Sequence, residues 1–435
     1  MAQRKPTQIS RSLTSVLPRQ RIRQLSRQLG VVQRRRKLDV VAFVYSLVLG
    51  FTSGDRRTLN GLRRAYLRAT GVRLAPSSFH ARFNGSLVRL LERLTKDALG
   101  RAQRSRPRLH GILAPFVEVL AIDTALIRLH NSLEADYPSV WTHYMRASAK
   151  LGIVMNVVGR GAKMLYLTHG SRHDVHMLKA GPWMKGRLLL FDLGFYRAPL
   201  FRQIDAEGGY FLSRMKKQGN PRIVRAHKRG QRHFVGLALR EAQDLVDDDV
   251  LDVDAEMTYL LRHSSRPFVT THRVQFRCVA LYNSELEQWH RYVTNVPPRM
   301  MKAEHFGAVY AARWEVELLF RELKSHNRLD HMPSANKHVS EALIYAAVLA
   351  LLVSRKLYDA MRARFRIDRR RLTMDRWAIL LAAVAEPILA AALQSRNRTY
   401  AERRIESFLR AEACDPNRAR IPLPERAQMG LQAWA

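Results

Sequence analysis

Cysteine is nearly absent: Cys278 and Cys414 are the only two in 435 residues. That excludes a disulfide framework and a cysteine-rich zinc centre, and it predicts a reducing compartment. The N-terminus, Met-Ala-Gln-Arg-Lys-Pro, has no apolar signal core. Long apolar runs are missing as well. Ala342 to Val353 is too short to cross a bilayer, and Ala378 to Leu393 is interrupted by Glu386 and Pro387. Both read as buried helices, so a soluble cytoplasmic protein without a membrane partner is expected. Acidic side chains are scarce: 37 against 74 basic ones, a formal net charge of +37. Such an excess implies a polyanionic partner, with nucleic acid foremost. Ribosomal and membrane-surface proteins are also basic, so charge alone does not choose among them. Arginine outnumbers lysine, which suits forked contacts to phosphate.

The length allows two or three domains, and no internal repeat is visible. Residues 1 to about 115 read as helical and basic. Arg34-Arg35-Arg36-Lys37 precedes an apolar segment from Val40 to Phe51. Gly71 can end a helix beginning near Leu59, and Pro76 or Ser77 can start another. A helix-turn-helix that reads DNA and an ordinary helical pair both fit this pattern. From about 116 the pattern changes to strands. Phe116 to Asp123 is an apolar run that ends in a carboxylate. Gly152 to Val158 and Met164 to Thr168 flank Gly159-Arg160-Gly161, a hairpin signal. A helix-sized gap follows, and then Leu188 to Asp192, a second buried strand ending in a carboxylate. Residues 205 to about 300 are strand-rich, and helix returns near 303 and continues to the end. The tail from 415 contains Pro422 and Pro424 and reads as loosely ordered.

The run from Tyr310 to Lys324 reads as one helix whose residues are sorted by face. At about 100° per residue, Tyr310, Arg313, Glu317 and Lys324 fall within an arc of roughly 60°. Val316, Leu319, Phe320 and Leu323 form an adjacent apolar face, and Glu315 and Glu322 point away from Glu317. A surface helix with an Arg313–Glu317 ion pair would show the same spacing. The two strand-end acids change the weight of the observation. Carboxylates ending adjacent parallel strands converge on one edge of a sheet, and a third from a helix can close the set. Three hard oxygen ligands suit Mg²⁺ or Mn²⁺ rather than Zn²⁺. Two such ions can clamp an in-line phosphoryl transfer.

The spacing Tyr310, Arg313, Glu317, Lys324, within Arg-Trp-Glu-Val-Glu-Leu-Leu-Phe-Arg-Glu-Leu-Lys, resembles the signature of the insertion-sequence-four family of bacterial DDE transposases. The likeness covers residues 116 to 355. It implies an α/β fold: a ribonuclease H-like mixed-sheet catalytic core with a β-rich insertion, flanked by helical N- and C-terminal regions. The implied divisions are a DNA-binding region (1–115), the core's first part (116–204), the insertion (205–302), the core's closing helices (303–355) and a DNA-binding or dimerisation region (356–435). The family's acids map onto Asp123, Asp192 and Glu317, holding two Mg²⁺ ions, with Mn²⁺ able to substitute. The Asp-x-Gly-aromatic pattern is present as Asp192-Leu193-Gly194-Phe195. The first motif departs slightly, since Thr124 follows Asp123 with no small residue between. Tyr310, Arg313 and Lys324 would contact phosphates and element-end DNA. Trp289 would either stack on a base extruded at the cut or fill a core. The implied activity is cut-and-paste transposition: a homodimer in a synaptic complex binds double-stranded element ends and target, in a nucleoid-associated setting. A ribonuclease H-like nuclease without strand transfer and an inactive DNA-binding relative are the alternatives. A structural RNA-binding protein has no motif in its favour.

Three further stretches stand out. His169, His173, Asp174 and His176 cluster after a strand, where contact with solvent or DNA backbone is expected over a metal site. The acidic stretch Glu241 to Glu256 reads as a turn-rich solvated loop facing away from DNA. The basic stretch Arg362 to Arg371 reads as a DNA or phosphate surface or a solvated helix face.

Overall fold

The computed structural model describes residues 7–31, 38–50, 58–104, 108–140, 144–262, 269–325, 329–368, 371–393, 398–414 and 423–429. The Arg34–Lys37 run and residues 369–370 of the basic stretch lie outside the described residues. The chain opens with α1 (Gln8–Val16), α2 (Arg19–Gln28), α3 (Val40–Gly50), α4 (Leu59–Thr70), α5 (Pro76–His80) and α6 (Gly85–Arg104). Gly71 ends α4 with φ 72°, and Pro76 opens α5 at its first turn, as their chemistry requires. That second helix has only five residues and buries Phe79, so the longer α6 carries the packing that follows.

Then come β1 (Val119–Leu129), β2 (Ser148–Asn156), β3 (Gly161–His169), β4 (Leu188–Phe191), α7 (Ala198–Ala206) and β5 (Tyr210–Arg214). β6 (Arg222–Ala226), α8 (Leu239–Leu245), β7 (Val250–Arg262), β8 (Val269–Asn283) and β9 (Gln288–Thr294) follow. The chain closes with α9 (Phe306–Ala311), α10 (Trp314–Ser325), β10 (His331–Met332), α11 (Lys337–Phe365), α12 (Met374–Leu393), α13 (Arg398–Glu412) and α14 (Leu423–Met429).

The strands join one mixed sheet in the order β3-β2-β1-β4-β5-β9-β8-β7-β6, with β10 beside β1. β1, β4 and β5 are mutually parallel, and β2 and β3 form the expected antiparallel hairpin on one side. This is the ribonuclease H-like arrangement. The strand-rich segment does not stand apart: β9 pairs antiparallel with β5, so β6 to β9 extend the core sheet.

Alternation along the strands decides what each face carries. Val119, Ala121, Ala125 and Ile127 of β1, with Leu188 and Leu190 of β4, join a core that includes Val316 and Leu319 of α10 and the apolar length of α11. Leu120, Ile122, Leu189 and Phe191 face the other way, onto Phe195, Phe201 and Phe211. The first core is continuous with the N-terminal helices and with α12 and α13. Among the described residues, two helices, α11 and α12, are long and apolar enough to cross a membrane, but 83% of the apolar window of α11 is buried in this core.

Several sequence expectations change in three dimensions. Tyr310 to Lys324 is two helices: the amides of Ala312, Arg313, Glu315 and Val316 bond three residues back, tightening the chain between α9 and α10. β1 does not end at Asp123, because β2 pairs with it as far as Arg128 and β10 takes over from β4 at Arg128. The gap before β4 holds only short 3₁₀ turns, Asp174–His176 and Pro182–Met184. The acidic stretch is a solvated loop only in its middle, where Asp247, Asp248 and Asp249 form an exposed bend. Its ends belong to α8 and the start of β7, where Asp252 pairs with Arg277, Asp254 with His227 and Glu256 with Arg273. Ordered pairing with basic neighbours favours strand there over a solvated loop. Of the tail, residues 423–429 are helical and pack on α9, with Ala427 fully buried.

Candidate active site

Register and alternation together set the first two acids side by side. β1 and β4 are paired through Ile122 and Phe191, so Asp123 and Asp192 are the next residues on neighbouring strands. Each continues the odd or even series that faces α10: Val119, Ala121, Asp123 on β1, and Leu188, Leu190, Asp192 beyond β4. β4 stops at Phe191, while β10 joins β1 only at Arg128. The edge of β1 between them is open, and α10 packs over it. Asp123, Asp192, Glu317 and Lys324 line one open cavity of about 740 Å³.

Local contacts fix these groups. The Thr124 amide donates to Asp123 Oδ1 at 2.7 Å. The Thr124 hydroxyl donates to Asp174 Oδ1 at 3.0 Å, and Lys150 Nζ reaches the same oxygen at 2.8 Å. Asp174 therefore ties its own 3₁₀ turn to β1 just past Asp123, and His173 and His176 sit 6.3 Å apart, ring to ring, beside it. A side chain at Gly194 would meet Asp174 Oδ2 at 3.1 Å, so the glycine of Asp-Leu-Gly-Phe permits this close approach. Tyr310 Oη donates to the carbonyl of Phe191 at 3.2 Å, tying α9 to the residue before Asp192. Arg313 lies over the Tyr310 ring at 5.5 Å and pairs with Glu317 at 2.5 Å.

Electrostatics follow from this crowding. Burial pushes the Asp123 carboxyl up to about 6, and the charges of Asp192 and Glu317 add to that, against the Thr124 amide and Arg313. Burial likewise raises the Tyr310 phenol, leaving it a hydrogen-bond donor at neutral pH. Oxygen donors predominate in the cavity, and among the described residues no histidine or cysteine lines it. This donor set fits a hard divalent cation. Among the described residues, no three such side chains stand close enough to hold an ion, Glu317 being turned to Arg313.

Sequence reasoning missed several neighbours. Asp330, beside β10, is a fourth carboxylate on the same cavity. A smaller adjoining cavity of about 190 Å³ is lined by Asp192, Tyr310, Arg313, Arg214, His290 and Trp314, among others. Arg214 contacts His290 Nδ1, and burial followed by the Arg214 charge lowers that imidazole's pKa. Trp314 is 42% exposed there. Trp289 lines neither cavity. It packs on Tyr282 at 5.4 Å, on the opposite face of β9 from His290. Only pairing across the sheet brings Arg214 and His290 together, and no sequence spacing announces it. An indole within the Arg-Trp-Glu-Val-Glu run was the one available signal for Trp314.

The chain is similar to known transposases. The family model described as the transposase DDE domain matches residues 115–353. The transposase of insertion sequence element IS231F from Bacillus thuringiensis subsp. israelensis is 20% identical over 382 residues, 78% of each chain. The transposase of IS1151 from Clostridium perfringens is 18% identical, covering 80% of this chain and 79% of that one. A looser likeness, with TM-score 0.47 and 8% identity over 93% of this chain and 86% of that chain, is to the piggyBac transposase in its synaptic complex with hairpin DNA. With the family model spanning more than half of its residues, this chain belongs to the transposase DDE domain family.

Proposed function

We propose that this transposase works by cut-and-paste. A homodimer binds the terminal inverted repeats of its own element, hydrolyses a strand at each end, and joins the freed 3′ hydroxyl to target DNA. One observation carries this: the β1–β4 register sets Asp123 beside Asp192, under the helix that bears Glu317.

The family's chemistry uses a divalent metal. Here Asp123, Asp192 and Glu317 would hold two Mg²⁺ ions, with Mn²⁺ able to replace them. Bound there, the ions supply charge neutralisation and activation for phosphoryl transfer. The chain's own residues do the rest. Arg313 orients Glu317 and meets a DNA phosphate, and Tyr310, whose single O–H donates to the Phe191 carbonyl, fixes the end of β4 beside that phosphate. Lys324 neutralises phosphate at the cavity rim. Trp314, exposed beside Asp192, offers a stacking face for a base near the cut, and Trp289 offers a second face on the strand behind it. The helices within 1–115 and 356–435 supply binding to the element ends and dimer contacts.

The test is cleavage of DNA carrying the element's flanking ends, with Mg²⁺, by wild type and Glu317→Gln. Boundary cuts and strand-transfer products that vanish in the variant are expected. Cuts without joined products would turn the reading into a nuclease. Binding without cuts in either protein would leave a DNA-binding relative.

A further inference from the structure

The sheet has a second end, far from the acids. Asn156 pairs with Leu120, so the β2–β3 turn lies beyond the start of β1, whereas the acids stand past the end of β4. Around this turn, residues of α1, α6 and the C-terminal half of α11 enclose a cavity of about 520 Å³. It shares no lining residue with the cavity of the acids. Six of its lining side chains are basic, among them Arg160, Lys163, Arg355, Lys356 and Arg362, against one carboxylate, Asp359.

Three of these cations are tied from outside the cavity. Arg160 Nη2 donates to Glu315 Oε1 at 2.9 Å, and Arg355 Nη2 donates to Glu322 Oε2 at 2.6 Å. Lys163 Nζ stands 3.1 Å from Glu118 Oε1. Those bonds leave other donors over. Among the described residues, Arg355 Nε and Nη1, Arg160 Nε and Arg362 Nε are buried with no hydrogen-bond partner, and Arg355 as a whole is only 7% exposed. Buried N–H groups without an acceptor are costly and rare. The four belong to arginines that line one basic cavity, and planar guanidinium forks match the several oxygens of a phosphate.

We propose that this cavity binds a phosphate group at a site separate from the carboxylate cluster. The phosphate belongs either to a small free polyanion or to a DNA strand crossing the mouth. Arg160 and Arg355 also hold the buried Glu315 and Glu322 of α10. An anion here therefore acts on the back of the helix that carries Glu317.

The probe is pyrophosphate, titrated calorimetrically into the full chain in EDTA. Three variants frame it. Arg362→Gln with Lys356→Gln removes two lining cations that are half-buried and exposed. Arg355→Lys keeps a charge for Glu322 but removes the unpartnered guanidinium nitrogens. Arg403→Gln with Arg404→Gln removes the same charge from an exposed part of α13. Wild type and the α13 variant should bind alike, and the two cavity variants about tenfold or more weakly, the size of a lost charge-assisted hydrogen bond. Displacement of pyrophosphate by short duplex DNA assigns the phosphate to DNA; simultaneous binding of both assigns it to a free compound. No binding to wild type, or equal weakening in the α13 variant, overturns the proposal.

Discussion

Arg277 is the clamp between the extended sheet and the helices that carry the signature. It is 4% exposed, and its partner Asp252 is 6% exposed. Nε and Nη2 donate to the two Asp252 oxygens at 2.7 Å each. Nη1 donates to the carbonyls of Val296 and Met301 at 2.9 Å, on the segment leading into α9. The guanidinium also lies 5.0 Å from the centre of the Phe306 ring, the first residue of α9. Arg277→Met leaves Asp252 as an uncompensated buried charge, worth about 3–5 kcal/mol. At about 2.1 cal/mol/K per residue the unfolding entropy of this chain is on the order of 0.9 kcal/mol/K, so the loss lowers the melting midpoint by about 3–6 °C. Adding Asp252→Leu removes the charge. The double variant then keeps only the loss of donors to the two carbonyls, about 1–3 kcal/mol or about 1–3 °C. Calorimetric melting of wild type, both single variants and the double variant closes the cycle. A double variant that falls by the sum of the single variants, or a single Arg277→Met shift under about 1 °C, would refute a charge clamp at this position.

Two further outcomes are expected. In EDTA at pH 8, Asp123→Asn melts higher than wild type. Folding raises this carboxyl from its ordinary 3.8 to about 6, so the folded protein gives up stability as pH climbs through that window and holds an unfavourable charge above it. Mg²⁺ then raises the midpoint of wild type but not of Asp123→Asn, and a variant that melts lower in EDTA contradicts the burial, reinforced by Asp192 and Glu317, that raises this carboxyl. For the indoles, Trp314→Ala lowers cleavage at the element boundary by about tenfold or more while end binding in a mobility shift changes little, the size of one lost stacking contact. Trp289→Ala made alongside shows whether the same loss arises behind β9, and unchanged cleavage in both variants removes stacking from the reaction.

How much of this was legible before the fold was known depends on the range of the interaction. The apolar strand runs up to Asp123 and Asp192, the hairpin at Gly159-Arg160-Gly161 and the Tyr310–Lys324 spacing are local patterns of alternation, turn chemistry and helical period. They were readable because each is decided within a few residues. The break at Ala312–Arg313 was not, since it goes with Tyr310 being anchored to Phe191, a contact 119 residues away in sequence. The strand end of the acidic stretch was not legible for a similar reason, because Asp252 reads as a solvated charge until Arg277 stands against it across the sheet.

By itself the sequence determined the polyanion-seeking charge, the three candidate acids and the family spacing, because composition and short-range periodicity survive without a fold. Only the tertiary structure decided which carboxylates meet. Strand register set Asp123 beside Asp192, the end of β4 opened the edge where Glu317 sits, and helix packing buried Arg355 and drew Arg160 beside it around a second basic cavity. Pairing register and burial are properties of distant segments brought together, and no single stretch of chain carries them.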